Sequence, residues 1–375
     1  MARRALYKFL GFCYRVFIRK ILFLQDSEAA HVRATHAGER IGRSPFARNS
    51  LAFLFRRHSP ELAQTLFGLR FASPLGLAAG FDYEARLTQI MPALGFGFGT
   101  VGTLTSRPYR GNPRPMLGRL SRSRSLLVNK GFKNLGVAET LSPLRNASFA
   151  YPVGVSIGKT NAQDILTQKS AMQDIVMGFK AAEKSGVPFA YYELNISCPN
   201  LMGSVEFYEP AHLEELLSAV GALGLKRPVW VKMPISKTDR ETEAMLRVVI
   251  RHSFVKAVVF GNLQRDRTHP ALRPEEVEKF PKGSFSGLPC RNRSDELIRL
   301  AYSRYESRLT IVGCGGVFST DDAYRKITLG ASLVELITGL VYEGPQLAAL
   351  MNEELHLRLR RDGHASLSAA RGSAI

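Results

Sequence analysis

Eight short apolar runs recur along the chain, at 75–80, 98–105, 151–158, 189–197, 228–234, 257–262, 309–316 and 332–338. Each is of strand length, rich in β-branched, aromatic or other apolar residues, and ends in Gly, Ser, Thr, Asn or Pro. Amphipathic stretches of helical length lie between them, for example 161–185, 210–223 and 239–252. The last carries Asp239, Glu241 and Glu243 in its opening turns, where carboxylates suit the helix dipole. Eight β units alternating with helices predict an α/β chain folded as a (β/α)8 TIM barrel. A doubly wound open sheet is the other arrangement this alternation allows. In a barrel, chemistry sits where strands end and βα loops begin.

The first 65 residues do not share that rhythm. Of 51 Lys+Arg against 32 Asp+Glu in 375 residues, thirteen basic residues fall within 1–70, opposed only by Asp26, Glu28, Glu39 and Glu61. Residues 5–24 read as an amphipathic helix with Arg4, Lys8, Arg15 and Arg19 along one stripe. Leu6, Phe9, Leu10, Cys13, Phe17, Ile21 and Phe23 fill much of the rest. A second apolar patch, 51–55, is followed by Arg56 and Arg57. Together they predict a helical hairpin that associates with an anionic membrane surface. Three regions follow: a helical extension at 1–65, a barrel at 66–363, and a flexible tail at 364–375. Four scattered cysteines without CxxC spacing suggest neither a disulfide framework nor zinc, and an intracellular setting is the simplest expectation.

Two phosphate-binding signatures fail on inspection. Gly158-Lys159-Thr160 lacks the earlier P-loop glycine, since position 153 is Val153, and the Gly95–Gly99 glycines enter a strand instead of leaving one. No HExxH or GxSxG occurs, and no nucleic-acid motif accompanies the basic segment, so no metal and no nucleic-acid partner are expected. The strand ends remain. Asn195, Cys198 and Asn200 place a thiol between two amides, and amides match a planar heterocycle with C=O and N–H groups. Lys232 lies within an apolar run, a costly position unless it meets an anion. Gly313 to Gly316 and Thr338-Gly339 end the last two strands, the usual phosphate site of a barrel.

Several of these segments together resemble the dihydroorotate dehydrogenases, especially the membrane-associated, quinone-dependent type. The resemblance spans roughly residues 67–363. It is carried by Gly76 to Asp82, Gly95-Phe96-Gly97, Gly102-Thr103 and Gly111 to Pro115. Further carriers are Gly131-Phe132, Asn134-Leu135-Gly136, Asn195 to Asn200, Phe285-Ser286-Gly287, Gly313 to Gly316, and Lys326 to Leu333. It implies a flavoprotein containing FMN that oxidises dihydroorotate to orotate in pyrimidine biosynthesis and passes electrons to quinone. Such a protein is peripheral to the cytoplasmic face of the cell membrane. By the same resemblance Ala79, Gly80, Thr103 and Asn195 would line the cofactor, and Lys232 would face its N1–O2 edge. Gly287, Gly315, Gly316, Thr338 and Gly339 would hold its phosphate. Asn129, Lys130, Gly131, Phe132, Asn195, Asn200 and Asn262 would border the pyrimidine, and Cys198 would be the base that removes the C5 proton.

The departures from the family pattern are specific. Cysteine as base belongs to the soluble types, whereas quinone-dependent members carry serine. The family's lysine after Gly-Phe-Asp, which meets the substrate carboxylate, is Tyr83 here, and Lys130 is the candidate replacement. The substrate-loop asparagine aligns with Val128, one step from Asn129. A flavin-contacting asparagine is Ser156, and a Thr-Asn-Thr run is Gly261-Asn262-Leu263. Two other functions keep the barrel: an FMN oxidoreductase acting on another dihydropyrimidine or enone, and a catalytically silent, membrane-bound binding protein.

Overall fold

The computed structural model describes residues 2–57 and 59–375. The eight apolar runs form a closed, all-parallel barrel. Its strands are β1 (Leu75–Leu77), β2 (Phe98–Leu104), β3 (Val153–Ile157), β4 (Tyr191–Asn195), β5 (Val229–Met233), β6 (Val255–Phe260), β7 (Thr310–Cys314) and β8 (Leu333–Leu336). They pair in sequence order around the barrel, β8 closing on β1 through Glu335 opposite Gly76. Parallel strands covered on both faces read as continuous apolar runs, which is why every residue of β2, β3, β4, β5 and β8 is buried. The open-sheet alternative does not occur.

Helices pack outside the barrel, and their starts follow local chemistry. Helix Asp239–Val249 opens with a capping box: the Glu241 amide donates to the Thr238 hydroxyl at 3.3 Å, and the Thr238 amide donates to the Glu241 carboxylate at 2.8 Å. The helix expected over 161–185 begins later, at Gln168, because Thr167 caps it. This leaves 161–166 as a loop beside the strand ends. One end of the barrel is plugged by an aromatic cluster in which Tyr191 and Trp230 stack 3.6 Å apart. The hairpin Gln64–Leu66/Leu69–Phe71 covers that end with Phe71. The other end therefore carries the open strand termini.

Three features differ from the sequence reading. Leu117–Leu120, Ser125–Val128 and Ser284–Gly287 form an antiparallel sheet outside the barrel that no run in the sequence announced. Its strands are four residues each, too short to show a period. The segment 364–375 is not a loose tail: helix Leu367–Ala370 buries both of its end residues, and the Gly372 and Ala374 amides donate to Ile327 and Thr328 carbonyls. Leu367 and Ala370 supply the apolar anchors.

The N-terminal extension holds three helical stretches in place of a hairpin. Ala2–Cys13, a π-helical turn at Tyr14–Ile18 and Arg19–Leu24 follow one another, and Ser27–Arg43 and Pro45–Phe55 come after. The basic stripe expected to face lipid turns toward the barrel. Arg4 and Lys8 meet Glu354 at 2.9 and 3.2 Å, Arg15 meets Glu343 at 3.2 Å, and Arg19 donates to the Tyr342 carbonyl at 2.9 Å. Carboxylates on the C-terminal helices are the closer partners, so the opposite face is left to solvent. That face is apolar: Phe9, Phe17 and Ile21 are each about 60% exposed, Leu24 89%, Phe46 83% and Phe53 82%. No described helix is long and apolar enough to cross a membrane.

Candidate active site

A cavity of about 490 Å³ runs from the N-terminal helices to the open strand ends. Leu22, Phe23, Ala30, Ala34, Gly38 and Ile41 form an apolar wall on the helical side. Ala30, Ala34, Gly38 and Ile41 recur every three or four residues on one face of Ser27–Arg43, with small side chains that leave room. This stripe of small residues is the signal in the sequence that could have disclosed the wall. On the barrel side, Ala79, Gly80, Thr103, Lys130, Gly131, Phe132, Asn195, Cys198, Asn200, Lys232, Asn262, Gly287, Gly315, Gly316, Thr338 and Gly339 all border the same space. Sixteen positions spread over 260 residues meet because each terminates or follows a strand of one barrel or of the small sheet.

Asn129 is the exception. Successive residues at the end of a strand point to opposite sides. After Ser125–Val128 that rule turns Val128 and Lys130 into the cavity and Asn129 away from it. Asn129 accepts a hydrogen bond from Asn112 at 3.1 Å and donates to the Pro113 carbonyl at 3.4 Å. It cannot stand in for the asparagine replaced by Val128. Ser156 likewise lies behind the wall, fully buried and 2.9 Å from the Thr103 hydroxyl.

The amides are held in place. Asn195 Nδ2 donates to Thr103 Oγ1 at 2.8 Å while its Oδ1 accepts from Ser197. Asn200 Nδ2 donates to the Val128 carbonyl at 3.0 Å, and Asn262 donates to the Ser197 hydroxyl. Cys198 lies in the loop after β4. It borders the cavity, and burial pushes its thiol up to about 12. The Asn200 amide and Lys159 oppose that shift only in part.

Lys130 is the second titratable group in the wall. Its Nζ donates to the Tyr83 hydroxyl at 2.6 Å and lies 4.5 Å from the centre of the Tyr83 ring. Burial brings its pKa down to about 8, with Glu28 opposing. His31, stacked on Tyr83 with centroids 5.3 Å apart, is pushed down to about 3 by burial and then by Lys130, so it is neutral at physiological pH. Arg119 borders the cavity toward the helices and donates to the Gln25 carbonyl at 2.8 Å. The sequence reading missed His31 and Arg119, since neither lies in a motif or at a barrel strand end.

The lining includes Arg119, Lys130, Lys133 and Lys232, whereas no Asp or Glu is among its described residues. Such a cavity accepts anions. The glycines at its far end add backbone donors. Gly315 and Gly316 have φ of +103° and +69°, and among the described residues neither amide donates to the protein. A Cβ at Gly316 would strike Arg291, and one at Gly287 would strike the Arg124 carbonyl. Together with the Thr338 hydroxyl, this cradle and the long slot leading from it fit a phosphorylated flavin.

The family profile described as dihydroorotate dehydrogenase matches residues 61–359. A protein of Mycobacterium sp. (strain KMS) named dihydroorotate dehydrogenase (quinone) is 36% identical over 358 residues, spanning 96% of this chain and 98% of its own length. A protein of the same name from Synechococcus elongatus is 34% identical, with the same coverage. Among solved structures, DHODH of Eimeria tenella in complex with ferulenol superposes with a TM-score of 0.75 at 26% identity. It covers 88% of this chain and 96% of that one.

Proposed function

The chain belongs to the dihydroorotate dehydrogenase family, and from that premise we propose that it oxidises dihydroorotate to orotate with FMN as cofactor and quinone as electron acceptor, in pyrimidine biosynthesis. The observation that carries this reading is one continuous cavity, which joins an apolar entrance between the N-terminal helices to an amide-lined, cation-lined interior. A lipid-like acceptor and a small anionic heterocycle need just those two environments. When bound, FMN supplies a two-electron acceptor for the CH–CH oxidation and a donor to the quinone.

The chain's own groups do the rest. Asn195, Asn200 and Asn262 present donors and acceptors to the ring edges, and their fixed hydrogen bonds reduce the entropy lost on binding. Lys130 holds the substrate carboxylate in place of the cation that Tyr83 displaced. Cys198 Sγ takes the C5 proton. Lys232 sets a permanent positive charge against the cofactor's N1–O2 edge. Ala79, Gly80 and Thr103 line the cofactor, and Gly287, Gly315, Gly316, Thr338 and Gly339 receive its phosphate. Gly131 and Phe132 close over the pyrimidine. The test separates the two halves of the turnover. Anaerobic mixing with dihydroorotate should bleach the flavin, and a long-chain quinone should restore its colour faster than fumarate or NAD. Recovery with fumarate or NAD at the quinone's rate would reject the acceptor.

The exposed apolar face of the N-terminal helices supports peripheral membrane attachment. The four free cysteines favour the cytoplasmic side. Because Arg4, Lys8, Arg15 and Arg19 are engaged by the barrel, apolar burial leads the attachment and anionic lipid adds less. Burying a large apolar side chain is worth about 1.5–3 kcal/mol. Replacing Phe17 and Ile21 together by Asp should therefore lower partitioning onto vesicles by well over tenfold, read by co-sedimentation. Flavin bleaching by dihydroorotate should be unchanged.

A further inference from the structure

Behind Lys232, on the side away from the cavity, the barrel interior holds two carboxylates. Glu193 of β4 and Glu335 of β8 are fully buried and approach Lys232 Nζ to 3.8 and 3.9 Å. Glu335 Oε1 accepts from the Thr100 hydroxyl at 3.0 Å, and that hydroxyl lies 2.8 Å from the hydroxyl of Tyr191. Both oxygens of Glu193 and the second oxygen of Glu335 have no hydrogen-bond partner among the described residues. One lysine thus faces two carboxylates with three unpartnered oxygens in the buried interior of the barrel.

Two ionised carboxylates there would leave an uncompensated buried charge beside unsatisfied acceptors, an unfavourable arrangement. A single proton on one carboxyl removes the excess charge and turns an acceptor into a donor. We propose that the Glu193–Glu335 pair carries this proton and that, by losing or keeping it, the pair sets how much of the Lys232 charge reaches the flavin edge. The two are then positioning residues for the family reaction, acting through Lys232 and touching no reactant. The ionisation of Glu335 is displaced to about 7, chiefly by burial and further by Glu193, with Lys232 opposing. Burial lowers Lys232, but the two carboxylates together hold it above its ordinary value, so it keeps its charge throughout. The other titratable groups around the trio are Cys314 on β7, Tyr191 on β4, and, farther off, Lys326 and Tyr151. The thiol of Cys314 is pushed up to about 11 and stays neutral at pH 7. Electrons arriving on the flavin add negative charge on the far side of Lys232, which raises the proton affinity of the pair. Proton uptake from solvent would therefore accompany flavin reduction.

This inference rests on the flavin reading, and the experiment keeps the two apart. Infrared difference spectra of the flavin-loaded protein should show a protonated-carboxyl band, shifted in deuterium oxide, that titrates near neutral pH and is absent from Glu335→Gln. Glu193→Gln, which removes the like charge, should move that titration to lower pH. The flavin midpoint potential of Glu335→Gln should exceed the parent's above pH 7 and converge with it below. Loss of the yellow flavin spectrum in the parent would defeat the flavin reading. A flavin-loaded parent with no titrating carboxyl band, or a band that persists in Glu335→Gln, would overturn this inference alone.

Discussion

Cys198→Ala should retain flavin and still bind orotate, yet reduce its flavin with dihydroorotate about 10²–10⁴-fold more slowly than the parent, the usual worth of a positioned general base. The site gives the prediction a second, sharper signature. With the thiol pushed up to about 12, only a small fraction is ionised at pH 7, and that fraction grows tenfold per pH unit. The parental rate of bleaching should therefore climb with pH and reach no plateau from thiol ionisation below about pH 10. Cys198→Ala should lose that slope. Cys198→Ser should fall between the two at neutral pH, because the hydroxyl is a weaker acid still. The thiol's polar surroundings are the Asn200 amide and Lys159, which itself donates to the Ile165 and Met202 carbonyls at 3.3 Å. Stopped-flow bleaching across pH measures all three. Parental rates in Cys198→Ala would make the thiol a packing residue and remove the proton-transfer step proposed for it.

Lys130→Ala should weaken orotate binding by about 1.5–3 kcal/mol, the range for a hydrogen bond to a charged group. The sign of the pH dependence follows from the direction of its shift. Lys130 is displaced down to about 8, so it is charged below that value and neutral above it. Orotate affinity should be flat at lower pH and decline as pH rises through about 8, and this decline should vanish in Lys130→Met. A bound carboxylate favours the charged lysine, so the bend should lie at higher pH in the complex than in the free protein. Equilibrium titration of flavin absorbance with orotate reads both quantities. Unchanged affinity in Lys130→Ala would transfer the carboxylate to another cation, with Lys133 and Arg119 in the same wall. It would equally admit a substrate without a carboxylate, the other dihydropyrimidine that replacement of the family lysine by Tyr83 leaves open.

These two residues also show how far the chain could be read without coordinates. Cys198 was legible because it follows an apolar run and stands between Asn195 and Asn200, all within six residues. Lys130 was legible as a candidate by adjacency alone. Its actual setting, against the ring of Tyr83 and beneath His31, joins three segments separated by up to 100 residues. Asn129 shows the cost of adjacency without geometry. It is one residue from the family's substrate position, and one residue in an extended segment reverses the direction of the side chain.

By itself the sequence determined the eight strands, their parallel direction and the strand ends where chemistry collects. Those features rest on local periodicity and on the requirement that parallel strands be covered on both faces. Only the tertiary structure decided which face of the N-terminal helix meets the barrel. The spacing defines a basic stripe and an apolar stripe, but Glu343 and Glu354, more than 300 residues away, draw the basic one inward and leave the phenylalanines outside. The trio of Glu193, Lys232 and Glu335 has the same origin. Each looks like an isolated charge within an apolar run, and only the closure of the barrel, which brings β8 back toward β4 and β5, makes them neighbours. Periodicity reports which way a side chain points from its own backbone. What it meets there depends on chain closure over distances that no local pattern encodes.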